Sequence, residues 1–415
     1  MRIGIPFCKW PAEAGGGFTF QDEIIKGILH FAKESNHTFV FLGWEKEAPL
    51  EIQLSEHVEF VSFHMHQSMS QRFYQKVMRV AKKIVAFGKR NKSKRIRTAY
   101  EEHIQNTIQN SQIDITWSPT LSCLQDIPCI ITVWDLQHRN QPYFPEVSNG
   151  NEWQEREQNL SRLLRQAAHI LVGTQVGKSE VEKFYQIPSE RISVLPFPPP
   201  EFTLVAANLL DSSSILSKFS LPSNYLLYPA QFWPHKNHVN LLKAIRHLKE
   251  KDELILPVVF TGADKGNRCY VEKVVADLGL EDQVHFLGFV SQEELVALYQ
   301  KAFALTYVTF FGPDNLPPLE AFSVGCPVIA SEVAGAIEQL GDAVILVDPK
   351  NPEHIALAIK QLWDNPGLRE QLIQRGYERS CKWTVKDYVK DLFSIFDEFE
   401  KIRQCWEKGM SYKLR

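Results

Sequence analysis

Short apolar runs alternate with longer segments of helical periodicity along almost the whole chain. In the first half the runs are RIGIPF (2–7), TFVFLG (38–43), VEFVSF (58–63), IDITWS (113–118), IPCIITVW (127–134), HILVGT (169–174) and RISVLP (191–196). Between several of them lie FQDEIIKGILHFAKES, SMSQRFYQKVMRVAKKIVAF and WQEREQNLSRLLRQAA, whose apolar positions recur at helical spacing. Strands separated by helices predict βαβ units and a largely parallel sheet.

PFPPP (196–200) is the most proline-dense point and is followed by a polar, serine-containing stretch to Ser223. Together they predict a stiff connection between domains. The pattern then restarts with YLLYPA, a helix from about Asn237, LPVVFTG, QVHFLGF, FALTYVT, CPVIAS and AVILVD. The expected architecture is α/β, with two doubly wound domains facing each other across a cleft. The first spans 1–197 and the second 198–385. A closing segment, 386–415, includes most of VKDYVKDLFSIFDEFEKI, whose spacing predicts a packed terminal helix.

Composition narrows the class. The 415 residues are 44% hydrophobic and 23% charged, as in an ordinary globular protein, and the formal net charge of −3 gives no chain-wide attraction to nucleic acid. Seven cysteines are scattered, odd in number and never spaced C-x-x-C. They predict reduced thiols, no disulfide and a cytoplasmic setting. The first residues read as a strand and loop, not a signal peptide, and no apolar run is long enough to span a bilayer.

Ligands of open α/β sheets bind at the carboxyl ends of the strands, so the loops there carry the candidate chemistry. Gly15, Gly16 and Gly17 follow the first strand and precede a helix, where amides can approach a phosphate; a turn needing positive φ explains them equally well. Asp135, His138 and Arg139 follow IITV. Asp135 suits an acid–base or hydroxyl-binding role, whereas an exposed turn residue is the simpler account of His138. Lys236 stands at the expected start of a helix, where a cation opposes the dipole unless an anion is bound beside it. TFFGPDNLPPLEAF (309–322) predicts another helix start, with Asn315 as cap, Leu316 at the first position and Glu320 in the first turn. Glu320 can accept two ribose hydroxyls, or merely complement the dipole.

From Arg72 to Arg97 eleven basic residues occur without an acid, over an apolar stripe of Phe73, Val77, Val80, Ile84 and Phe87. Such a helix can lie on an anionic membrane surface or pack on a core with a solvated basic face. Aromatic residues are not interleaved with the charges, which disfavours nucleic acid as a partner. No metal-ligand motif, P-loop or hydrolase elbow occurs.

FFGPDNLPPLEAFSVGCPVIASEVAGAIEQLGDAVILVDPKNPEHIALAI resembles the C-terminal signature of the GT-B glycosyltransferases of family 4, also called group 1. LLYPAQFWPHKNHVNLLKAI is similar to that family's phosphate-binding segment, and VWDLQHRNQPYFPE to the HDL loop of its N-terminal domain. The resemblance covers nearly the whole chain. It implies a GT-B fold of two Rossmann-like domains, the acceptor on the N-terminal side and a nucleotide diphosphate sugar (UDP- or GDP-hexose) on the C-terminal side. It also implies metal-independent transfer with retention, no cofactor, and a glycan or lipid-linked acceptor in polysaccharide biosynthesis. An enzyme peripheral to the inner face of the membrane fits the basic segment.

By position, the resemblance has Lys236 neutralise the leaving diphosphate, Glu320 hold the ribose, Gly16 and Gly17 approach the phosphates, and Val290 lie near the base. Asp135 is a catalytic candidate that orients an acceptor or donor hydroxyl, His138 and Arg139 are acceptor-side candidates, and the terminal helix packs back on the N-terminal domain. Three positions depart from the family: Gly312 replaces the first acid of E-x7-E, Gln231 the arginine of the lysine segment, and Trp134 the HDL histidine. Asp314 is the nearby acid able to replace the first glutamate. Two alternatives stand beside this reading: a sugar-nucleotide epimerase on the same fold, which needs no acceptor, and a GT-B-like binding protein without catalysis, which the three departures favour.

Overall fold

The computed structural model describes residues 1–7, 15–53, 55, 57–64, 103–104, 106–124, 127–203 and 217–406. The basic segment Arg72–Arg97 lies outside the described residues. Thirteen strands form in the described chain, and each falls on one of the thirteen apolar runs. The first sheet holds β1 (Arg2–Pro6), β2 (Thr38–Gly43), β3 (Val58–Ser62), β4 (Ile115–Ser118), β5 (Cys129–Val133), β6 (His169–Val172) and β7 (Ile192–Val194) in the order β3-β2-β1-β4-β5-β6-β7. The second holds β8 (Leu226–Pro229), β9 (Val258–Thr261), β10 (Val284–Gly288), β11 (Ala304–Tyr307), β12 (Val328–Ser331) and β13 (Val344–Val347) in the order β10-β9-β8-β11-β12-β13.

All pairings are parallel. Helices on both faces bury central strands completely, which is why they read as continuous apolar runs and not as alternation. In each sheet the order reverses beside the first strand, between β1 and β4 and between β8 and β11. Those two switch points are where such sheets open a crevice.

The terminal helix Val385–Arg403 lies on the helix Gly16–Phe31, with Tyr388, Leu392 and Phe396 fully buried. Gly27 permits the approach: a Cβ there would stand 2.6 Å from Val385 Cγ1 and 3.0 Å from Val389 Cγ2. Trp383 Nε1 donates to the carbonyl of Pro196 at 2.6 Å, tying the start of this helix to the proline-rich connection. No helix among the described residues is long and apolar enough to cross a membrane.

The cysteines correct one expectation. Cys123, in the loop after β4, is disulfide-bonded to Cys129 at the start of β5. The two Cα atoms, six residues apart in sequence, stand 5.8 Å from each other, a spacing outside the C-x-x-C pattern. Cys269, Cys326, Cys381 and Cys405 remain thiols.

Candidate functional site

A cavity of about 620 Å³ opens between the carboxyl ends of the two sheets. It is lined by Gly16, Gly17 and Asp135 from the first domain and by Gln231, Lys236, Val290, Asp314, Asn315, Leu316 and Glu320 from the second. Thus all but two of the sequence-derived candidates share one cavity.

The glycine turn closes the first-domain side. Gly15 caps the helix at φ +82°, and its carbonyl accepts from the amides of Phe18 and Thr19. The amides of Gly16 and Gly17 precede the helical ladder and are its orphan donors. A Cβ on Gly15 would stand 3.1 Å from Gln231 Nε2, and one on Gly16 would stand 3.7 Å from Leu316, so the two domains meet here.

Lys236 does not begin the long helix. It ends a short turn, Pro234–Lys236, after which Asn237 turns left-handed (φ 59°) and the helix His238–Lys251 starts. Nζ donates to Tyr307 Oη at 2.9 Å and lies 5.3 Å from the centre of that ring. The Lys236 carbonyl accepts from the hydroxyl of Tyr228, and its neighbour His235 is bound across the cleft. Glu146 Oε1 accepts from His235 Nδ1 at 2.6 Å and from the His235 amide at 3.1 Å. Burial and Lys236 lower the affinity of His235 for a proton; burial raises the Glu146 carboxyl, but His235 draws it below the usual carboxylate range.

The helix Leu316–Ser323 begins at the expected residue, but Asn315 does not cap it with its side chain. Asn315 Nδ2 donates to the carbonyl of Gly312 at 2.6 Å, and Gln339 brackets the Asn315 backbone, accepting from its amide and donating to its carbonyl. Pro317 and Pro318 contribute no amide, so the donor this helix start offers is chiefly that of Leu316.

Glu320 is the fifth residue of this helix and stands in the second turn, not the first. It is 5% exposed and accepts from Tyr299 Oη at 2.8 Å. Burial pushes its carboxyl up to about 7, against the lowering by the tyrosine hydrogen bond. The role of Tyr299 carries no sequence signal, because it sits on a different helix, Gln292–Lys301.

Acids crowd the opposite wall. Burial raises Asp314 well above the carboxylate range, and the charges of Glu338, Asp135 and Glu180 raise it further. Asp135 is likewise desolvated, yet stays below its ordinary value because Arg156 Nη2 (2.6 Å) and the Gln137 amide (2.9 Å) both donate to Oδ1.

His138 and Arg139 do not line the cavity. His138 is fully buried, with Nε2 3.1 Å from both Glu157 Oε2 and Tyr185 Oη. Arg139 makes a two-pronged ion pair with Glu157 at 2.8 and 2.5 Å. Glu157 and Tyr185 lie 18 or more residues away on other helices, and they turn both side chains inward. Of the departures from the family pattern, Gly312 is fixed by conformation: its φ is +144°, and a Cβ would overlap the Asn315 amide.

Residues 216–379 match the sequence model of the glycosyl transferases, group 1. The chain is 30% identical over 207 residues to the O-antigen chain mannosyltransferase RfbU of Salmonella typhimurium, covering 50% of this chain and 54% of that protein. It is 28% identical over 241 residues to the O-antigen chain mannosyltransferase B of Escherichia coli, covering 58% and 63%. The matches therefore span between half and two thirds of the length of these relatives. A glycosyltransferase structure from Rickettsia africae superposes with a TM-score of 0.67 at 16% identity, covering 96% of this chain and 98% of that one. The six-stranded domain that holds the matched residues and the seven-stranded domain before it together have the GT-B fold.

Proposed function

We propose that the chain is a family 4, retaining glycosyltransferase that moves a hexosyl group from a UDP- or GDP-sugar to a hydroxyl of a glycan or lipid-linked acceptor. One observation carries the reading: Lys236, Glu320, the Leu316 helix start and the Gly15–Gly17 turn converge on one cavity between two switch points. The group 1 match and the O-antigen mannosyltransferase relatives support a glycan acceptor and a hexose donor.

In this reading Glu320 accepts the ribose hydroxyls and Val290 borders the base. The diphosphate lies between Lys236 and the free amides of Gly16, Gly17 and Leu316. As the glycosidic bond to the diphosphate breaks, negative charge grows on the leaving phosphate, and these preset donors stabilise it without a metal. Asp135, held rigid by Arg156, directs a hydroxyl of the reacting sugars. The Glu146–His235 contact joins the domains next to Lys236, so closing the cleft and setting the cation are one event. The absent acid at Gly312 favours a second reading, nucleotide-sugar binding without transfer.

The test is a thermal-shift screen of UDP-, GDP- and dTDP-sugars on wild type and Glu320→Ala. Stabilisation of the wild type by one nucleotide class and its loss in the variant are expected. No stabilisation by any of them would overturn the proposal. Release of free nucleotide on adding acceptor glycans separates transfer from binding alone.

A further inference from the structure

The cleft opens at the carboxyl ends of the strands, and a separate polar cluster lies at the amino end of the first sheet. Among the described residues, one group of three His, Cys, Asp or Glu side chains brings a metal-ligating atom from each within 4.8 Å of the others: His37, Asp397 and Glu400. His37 immediately precedes β2, and Asp397 and Glu400 stand three residues apart on one face of the terminal helix Val385–Arg403. None of the three lines the cavity between the sheets.

We propose that these residues bind a divalent transition-metal ion such as Zn²⁺, which staples the terminal helix to the first sheet. The ring of His37 is 2% exposed and its orientation is fixed: Nδ1 lies 3.1 Å from the Met1 amine, and Phe396 of the same helix meets the ring edge-on, with centres 6.1 Å apart. Metal-binding imidazoles are held in this way, through the nitrogen that does not bind. The other nitrogen, Nε2, is buried and stands 3.1 Å from Asp397 Oδ1 without the alignment of a hydrogen bond. Two atoms on a tetrahedral zinc ion, each about 2.0–2.1 Å from it, lie about 3.3 Å apart, so this spacing suits a shared ion. Charge points the same way. Glu400 Oε1 is paired with the Met1 ammonium at 2.9 Å, whereas no lysine or arginine among the described residues pairs with Asp397, whose ion-pair neighbour is His37. A bound cation supplies the positive charge that Asp397 lacks.

The donor set selects the class of ion. One imidazole and two carboxylates suit zinc, cobalt or nickel better than calcium or magnesium, which take oxygen ligands throughout. The ion takes the Nε2 lone pair and the ring hydrogen moves to Nδ1; the Met1 amine, having given one proton to solvent, accepts from it. The side chain of Asp397 is 57% exposed and that of Glu400 29%, so water completes the coordination and the ion enters without unfolding. Lying at the far end of the sheet from the cleft, the ion takes no part in glycosyl transfer. It fixes the segment that follows the second domain onto the first. The sequence carries no local motif for it, because the ligands come from opposite ends of the chain.

Calorimetric titration of ZnCl₂ into the full chain, with Met1 as its first residue and any bound metal first stripped by a chelator, tests the site. Absorption of the Co²⁺ form reports the ligand type. The expected result is one Zn²⁺ per chain, a Tm raised by about 2–5 °C at saturating ion, and a Co²⁺ spectrum of nitrogen and oxygen ligation without sulfur-to-metal absorption. Asp397→Asn keeps the size of a half-exposed side chain and should fold. It is expected to weaken Zn²⁺ about tenfold or more and to remove the gain in Tm. His37→Asn should do the same, but the ring is buried, so Asp397→Asn is the deciding variant. Failure of the wild type to bind Zn²⁺ would overturn the site and leave an ordinary ion-pair cluster. So would binding and a Tm gain that Asp397→Asn retains in full. Sulfur-to-cobalt absorption would place the ion on a thiol, such as the exposed Cys269, and overturn it as well.

Discussion

Tyr299 Oη and Glu320 Oε2 share a 2.8 Å hydrogen bond inside the C-terminal domain, and it holds a carboxyl whose affinity for protons burial has pushed up to about 7. The pH dependence follows from that value and the ordinary 4.5. Between about 4.5 and about 7 the folded state binds more protons at Glu320 than the unfolded state does, so stability falls as pH rises through this window. Once ionised, the group costs the fold about 3 kcal/mol at most. Glu320→Gln should abolish this decline while lowering nucleotide affinity by about tenfold to a hundredfold. Chemical denaturation from pH 4 to 8, run on both proteins, checks the first half; nucleotide titration checks the second. A wild-type decline that persists in the variant would assign it to another group.

Among the described residues the Lys236 ammonium has one side-chain hydrogen-bond partner, the hydroxyl of Tyr307 at 2.9 Å. Removing the ammonium should therefore leave the fold nearly intact. Lys236→Ala is expected to slow transfer by about 10²–10³-fold, as when other charge-stabilising donors are removed. The measurement is kcat with the stabilising nucleotide sugar, alongside Tm. A variant with normal kcat and weakened donor binding would show that Lys236 holds the ground state only.

Asp314 stands among Asp135, Glu180 and Glu338, all of which raise its proton affinity. Asp314→Asn removes a desolvated acid from a like-charged group, so apo stability at pH 7–8 should rise by about 1 kcal/mol, or about 1–4 °C in Tm. If Asp314 has taken over from the acid absent at position 312, kcat should fall in the same protein by tenfold or more. Higher Tm with unchanged kcat would show that the carboxylate is lost from the loop and not relocated.

The sheets were legible because parallel strands buried on both faces must be continuous apolar runs, and IITV, VVFT and VIAS are so in any context. Lys236 and the Leu316 helix start were legible for a local reason, each following a strand within one loop. What escaped is long-range. The burial of His138 depends on Glu157 and Tyr185, 19 and 47 residues on, and nothing near His138 announces them. The Cys123–Cys129 bond joins cysteines six residues apart, a spacing that no sequence motif announces. The cleft-spanning pair Glu146–His235 joins residues 89 apart, so neither could be read as the other's partner.

The contact of the terminal helix with Gly27 predicts how the two domains are fastened. Val385 Cγ1 would lie 2.6 Å from a Cβ at position 27, so Gly27→Ala overpacks a buried helix crossing. The expected cost is about 1–3 kcal/mol. Limited proteolysis should cut near residue 383 earlier in the variant, since the terminal helix is what the clash displaces. Val385→Ala shortens the opposing side chain, and combining it with Gly27→Ala should recover part of the loss.

Gly312 decides whether the family's missing acid can simply be restored. Its φ of +144° is a conformation that side chains rarely adopt, and a Cβ would also overlap Asn315, whose Nδ2 holds the Gly312 carbonyl at 2.6 Å. Gly312→Ala meets both obstacles, and the two can be separated. Asn315→Ala frees the space but leaves the backbone strained, so the double variant should regain only part of the Tm lost by Gly312→Ala. Full recovery would make the obstacle purely steric, and Gly312→Glu in the Asn315→Ala background would then be the protein in which to look for faster transfer. Partial recovery means this loop has settled on a backbone that excludes the glutamate, and the acid must come from elsewhere on the wall.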